Sequence, residues 1–180
     1  MRFDLVINML CGMAITSKRV VLNSNGEAWR PHVHIDDVCE AFKCCIDWHC
    51  KIGKLVILNV GLNENNWKIL DIAKQITKEI HGVSLEFLGV ETDSNSVDLI
   101  EDKKIQDGVD ERTYQVNFDK IKKILPSFKA EWSVEKGIKK LIEDLKRYEL
   151  DEGKFKQRDF YRLQHLDYLY RTGQVPDLIE

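Results

Sequence analysis

Arg30 stands between Trp29 and Pro31, a few residues ahead of Asp36 and Asp37, and that setting decides what its guanidinium can do. A residue before proline is driven out of the helical region, so Arg30 lies in an extended piece that leads into a helix start. A planar guanidinium with a fixed fork of donors suits an anion at such a junction. His32 and His34 beside it are read as structural histidines. Trp29 and Trp132 are read as core or pocket wall.

Two other constellations invite chemistry and fail on spacing. Cys39, Cys44, Cys45 and Cys50, with His49, crowd one stretch of the chain. On the helix that stretch predicts, Cys39 and Cys50 share an azimuth but lie about 16 Å apart at ~1.5 Å per residue. Cys44 and Cys45 diverge by ~100°. No four of these groups can converge on a tetrahedral ion. Glycines two or three apart would let backbone amides cradle a phosphate. The nearest glycine pair here is Gly82 and Gly89, so the chain carries neither a dinucleotide fingerprint nor a P-loop.

The elements that position Arg30 follow from periodicity. Phe3 to Ile15 has the length of a helix, and Val20 to Leu22 reads as a strand closed by the Asn23-Ser24-Asn25-Gly26 turn. Asp37 to Cys50 predicts a helix capped by Asp36 or Asp37, with Val38, Ala41, Phe42 and Cys45 on its apolar face. Leu55 to Val60, closed by Gly61, predicts a buried strand. Ile69, Ile72, Ala73, Ile76 and Ile80 mark one face of a helix ended by His81-Gly82. Leu85 to Leu88 is a further short strand. The polar, acidic stretch of about 91–111 predicts a long mobile loop. Asn117 or Asp119 opens a short helix broken at Pro126, Ser133 caps a longer one, and helical turns follow around Phe155 to Tyr170. Alternating strands and helices mean α/β: a small subdomain with a few short strands and several helices.

Composition bounds the partners. With 180 residues, 43% of them hydrophobic, the chain can build a core. Lys and Arg total 27 against 30 Asp and Glu, a near-balance that speaks against a nucleic-acid surface. The apolar stretch Leu5 to Ile15 is too short for a bilayer span of ~20 residues. Asp4 sits where a signal peptide is positive. Five cysteines in this crowded arrangement read as reduced thiols rather than a disulfide framework. A cytoplasmic protein without a membrane partner is expected.

At Arg30 the sequence also becomes familiar. Arg30-Pro31-His32-Val33-His34-Ile35-Asp36-Asp37-Val38 resembles the Arg-Asp-x-x-His-Val-x-Asp-Leu stretch of extended short-chain dehydrogenases/reductases, the NAD-dependent nucleotide-sugar epimerases and dehydratases. Arg2 to Asn8 looks like that family's helix at the nucleotide-sugar pocket, and Leu58-Asn59-Val60-Gly61 like its Phe-Asn-Val-Gly strand end. Ile69-Leu70-Asp71-Ile72-Ala73 is similar to its Val-x-Glu-Leu-Ala helix. Glu111 to Ile121 is similar to the Asp-Arg-Arg-Tyr-Ala-Ile-Asp-x-x-Lys-Ile stretch of dTDP-glucose 4,6-dehydratases, and Ala130 to Ile138 to the closing helix. Pro31 departs from the pattern, standing where many members carry Asp.

The resemblance covers residues 1–149, with 150–180 as a charged helical tail, and it matches only the carboxy-terminal, substrate-binding half of such enzymes. The Gly-rich Rossmann half is lacking, and none of Tyr114, Tyr148, Tyr161, Tyr168 or Tyr170 is followed four residues later by Lys. The resemblance therefore implies binding rather than redox chemistry. Arg30 and Arg112 would clamp the diphosphate of a nucleoside diphosphate sugar. Asn8 would donate near the phosphates, and the Val20-Val21-Leu22 strand would lie against the base. It assigns no catalytic residue or metal to the chain; NAD belongs to the complete enzyme. Either the chain is a truncated product or fragment, or a partner supplies the NAD-binding half; alone it should expose apolar surface and self-associate. The alternative is a non-catalytic orphan binding or interaction module derived from such an enzyme. An interaction helix within Asp151 to Glu180 is a further, weaker option.

Overall fold

The computed structural model describes residues 1–48, 55–88 and 112–175. Helix α1 (Val6–Thr16) buries Leu10, Cys11, Gly12 and Ala14. It ends at Ser17, and Lys18 takes a left-handed φ of 56° to turn the chain into strand β1 (Arg19–Leu22). β1 pairs in parallel with β4 (Ser84–Phe87), Val20 opposite Leu85. Arg19 grips Glu86 across the pair with both forks of its guanidinium. That grip, helped by Ser84, holds the Glu86 carboxyl down at about 2.

The crossover between β1 and β4 carries the elements around Arg30. Strand β2 (Trp29–Pro31) pairs antiparallel with β3 (Asn66–Lys68), Arg30 opposite Trp67. Helix α2 (Ile35–Ile46) follows β2, and helix α3 (Ile69–Glu79) follows β3. After residue 112 come α4 (Asp119–Ile124), α5 (Val134–Arg147), α6 (Glu152–Phe155) and α7 (Arg162–Arg171). The main core lies between α1, β1, α3 and α5, where Ile72, Ile76 and Ile138 are fully buried with Phe3, Val20 and Cys11. A smaller cluster joins Ala41 and Cys44 of α2 to Ile121, Leu125 and Phe128. The chain is thus α/β, with short strands among several helices.

Several expectations match. α3 buries Ile72, Ala73 and Ile76 on one face, as its 3.6-residue period requires. The Ser133 hydroxyl caps α5 by accepting from Lys136 N at 3.2 Å. Phe155, Phe160 and Tyr161 close over Phe3, the Phe3 and Phe155 ring centroids being 4.8 Å apart, and Phe3 N donates to Phe160 O at 2.9 Å.

Three expectations are corrected. Leu55–Val60 is not a strand but an irregular extended piece, with Leu55 and Ile57 exposed. An apolar run becomes a buried strand only beside a neighbour, and among the described residues no strand pairs with it. α2 is capped by His34, whose Nδ1 accepts from Asp36 N at 3.2 Å, not by Asp36 or Asp37. Its expected apolar face is only partly covered: Ala41 is buried and Val38 half-buried, but Phe42 and Cys45 are exposed, and Asp37 and Cys44 are buried in their place. Asp37 goes inward because its carboxylate accepts from Glu131 N at 2.9 Å and Trp132 N at 3.3 Å. The expected loop of about 91–111 lies outside the described residues, as do His49 and Cys50.

Candidate anion-binding ribbon

Pro31 holds Arg30 extended, and β3 supplies the neighbour that a three-residue strand needs. Residues 112–116 run along the other side of β2. Trp29 N donates to Thr113 Oγ1 at 3.1 Å, and Tyr114 N donates to Trp29 O at 3.3 Å. The half-buried Arg30 side chain bends back over this seam. Its Nη1 donates to Trp29 O at 2.8 Å and also to Arg112 O. Its Cζ lies 5.3 Å from the centroid of the Tyr114 ring, within the ~6 Å of a cation–π contact. On the same ribbon the Lys68 ammonium sits 5.7 Å from the Trp29 ring and pairs with Glu27 at 2.6 Å.

His32 lies two residues after Arg30, just past the end of β2. Its backbone N–H donates to Asn65 O at 3.0 Å, while its ring Nε2 is buried without a hydrogen-bond partner. Burial first, and the Arg30 charge second, push its pKa down to about 4. The ring is therefore neutral at pH 7, which keeps a second positive charge away from Arg30.

The ribbon is held by a 3₁₀ turn, Asn63–Asn65, and by Asn66. Asn66 exchanges two bonds with Val116, donating to its O at 3.0 Å and accepting from its N at 2.8 Å. Asn63 accepts from Phe118 N and donates to Asp119, both at 2.8 Å. Hydrogen bonds from Asn117 and then from Asn63 lower the Asp119 pKa. The buried Asn65 donates to Trp132 O at 2.8 Å and accepts from Val134 N at 3.1 Å. Three amides thus tie residues 116–119 and 132–134 to one turn. His34 stacks on Trp132 at 3.8 Å between centroids, 11° from parallel, fixing the start of α2 against the start of α5.

The candidate residues distribute as follows. Arg30 and the backbone of Arg112 come together. Asn8 lies on α1, its amide donating to Arg2 O at 2.8 Å. Val21 is half-buried on β1. Leu22 has its side chain packed into the main core, so on β1 the group it leaves for a ligand is its backbone. Asn63, Asn65 and Asn66 escaped the sequence reading, which took Asp37 only as a helix cap and gave Tyr114 no role beside Arg30. The run Asn63-Glu64-Asn65-Asn66, three amides just after an apolar segment, was the signal available for the asparagines. A separate cleft of about 540 Å³ opens at the starts of α2 and α5, walled by Asp36, Glu40, Lys129, Glu131, Trp132 and Lys136. Neither Arg30 nor Arg112 lines it.

Among the described residues, Gly12, Gly26 and Gly61 offer no open backbone to a phosphate. They meet side chains of the chain itself: Gly12 faces Phe155, Gly26 faces Leu70 and Gly61 faces Phe118. Among the described residues no three His, Cys, Asp or Glu side chains converge as metal ligands, and no helix is long and apolar enough to cross a membrane.

Residues 4–61 match the profile of the NAD dependent epimerase/dehydratase family. No curated protein matches the chain at the sequence level. Among solved structures, a UDP-glucuronic acid 4-epimerase variant from Bacillus cereus, solved with a UDP-linked sugar acid and NAD, superposes with a TM-score of 0.58 at 18% identity. The match covers 82% of this chain and 41% of that one. The dTDP-glucose 4,6-dehydratase of Bacillus anthracis gives 0.57 at 17%, covering 83% and 41%. An NAD-dependent NDP-hexosamine 5,6-dehydratase gives 0.57 at 13%, covering 79% and 40%. The fold is that of NAD-dependent epimerases and dehydratases, and this chain spans about two fifths of the length of those structures.

Proposed function

We propose that residues 1–149 are the nucleotide-sugar-binding portion of an NAD-dependent epimerase or dehydratase, with 150–180 as its tail, incomplete without an NAD-binding half. Arg30 and Arg112 bind the diphosphate. Asn8 donates near the phosphates, and β1 offers Val21 and the Leu22 backbone to the base. The observation that carries this reading is the Arg30 guanidinium held at the backbone of Arg112, on a ribbon fixed from both sides. A preset fork suits a diphosphate because little freedom is lost on binding. The UDP-linked ligand of one similar structure supports a nucleoside diphosphate sugar as the ligand class. In this reading NAD belongs to the NAD-binding half, so no step is assigned to it here.

The exposed face of α2 marks the side on which an NAD-binding half, or a second copy, would pack. That same face favours a second reading, a non-catalytic interaction module. The two part on one experiment: thermal melting with UDP-, GDP- and dTDP-sugars, followed by an activity assay with a supplied NAD-binding half. A raised Tm with one sugar nucleotide supports the enzyme part. Unchanged melting with all three, and no restored activity, removes it.

A further inference from the structure

We propose that Tyr114 is a positioning residue for Arg30, and through it sets how tightly the ribbon holds a diphosphate. This rests on the reading of Arg30 as a phosphate ligand. An arginine side chain carries about 2 kcal/mol of rotamer entropy, and a ligand that must first order it binds more weakly. Here the ordering is done beforehand. Two carbonyls, Trp29 O and Arg112 O, hold Nη1, and Cζ lies over the Tyr114 ring, 5.3 Å from its centroid.

The ring is not there to fill the core, since Tyr114 is 49% exposed. Nor does the seam depend on it: Tyr114 joins β2 through its backbone N–H to Trp29 O, and its neighbour Thr113 through a hydroxyl. Removing the ring therefore leaves the ribbon paired and the Nη1 bonds in place, and takes from the guanidinium only its contact with the ring. An exposed cation–π contact of this kind supports an effect of about threefold on affinity.

The experiment uses the full 180-residue chain, with inorganic pyrophosphate as probe at low ionic strength. Calorimetry gives the affinity, and the Arg30 Nε–Hε resonance reports how rigidly the side chain is held. Tyr114→Leu should bind about threefold more weakly, with an unchanged Tm and a more mobile Arg30 resonance. Tyr114→Phe, which keeps the ring, should match wild type in both. Wild-type affinity in Tyr114→Leu, or a Tyr114→Phe variant as weak as Tyr114→Leu, overturns the role of the ring while leaving Arg30 as the ligand. A wild-type chain that does not bind pyrophosphate removes Arg30 as the ligand, and this inference with it.

Discussion

α3 and α2 are helices of nearly equal length with comparable apolar periodicity, and they end in opposite surroundings. In α3, Ile72, Ala73 and Ile76 are sealed against α1 and α5. In α2, Phe42 is 68% exposed and Ile46 83%. The inward face of α2 is made instead of Asp37, Ala41 and Cys44. Period alone identifies a face that can be buried; a neighbour must then be present to bury it. For α3 the chain supplies that neighbour. For α2 the described residues supply a carboxylate anchor at residues 131–132 and a small cluster at Ala41 and Cys44, and among them nothing covers Phe42 and Ile46.

The largest test of this contrast is a pair of truncations. Ile138→Ala, in the face that closes on α3, should destabilise the fold by about 2–5 kcal/mol in denaturant unfolding. Phe42→Ala should stay within about 0.5 kcal/mol. Similar losses at both sites would mean that α2 is packed after all. Next comes Asn65→Ala. It strands the Val134 N–H and the Trp132 carbonyl, and should cost about 1–3 kcal/mol, loosening the join between ribbon and α5.

Smaller again is a pH effect. His32 titrates at about 4 in the folded chain because burial, then Arg30, disfavours its charge, against an unfolded value of about 6.5. The unfolded state binds the proton first, so stability should fall as pH drops from about 6.5 toward 4. His32→Phe should flatten that part of the profile, whereas an unchanged slope would assign it to other groups. The smallest effect is one of reactivity. The exposed Cys39 and Cys45 of α2 should be labelled by a thiol reagent at pH 8 well before Cys11, which is buried in α1 and whose thiol is pushed up to about 12. Equal labelling rates would contradict the packing of α1.

How much of this was legible in the sequence divides along the same line. The α3 face, the Ser133 cap and the extended Arg30 segment could be read because each is set by local period or by one neighbouring residue. The orientation of α2 could not. His34 took the cap and Asp37 turned inward to backbone amides 94 and 95 positions away, and local pattern carries no trace of such a partner. The run Leu55–Val60 failed for the same reason, since its strand character depended on an adjacent strand. The burial of the Leu22 side chain in the main core was not legible either, since the short run Val20-Val21-Leu22 does not say which side of the strand packs inward. The contact of Tyr114 with Arg30 was not legible because the two are far apart in sequence, and only the seam between β2 and 112–116 brings them together.

The most direct test of the central claim is an amide NMR titration of the chain with UDP-, GDP- and dTDP-sugars. Diphosphate binding at the ribbon should move the resonances of Arg30, Arg112, Thr113 and Tyr114 in a saturable way, while those of α7 stay in place. Shifts confined to the α2–α5 cleft, or none at saturating ligand, would contradict it.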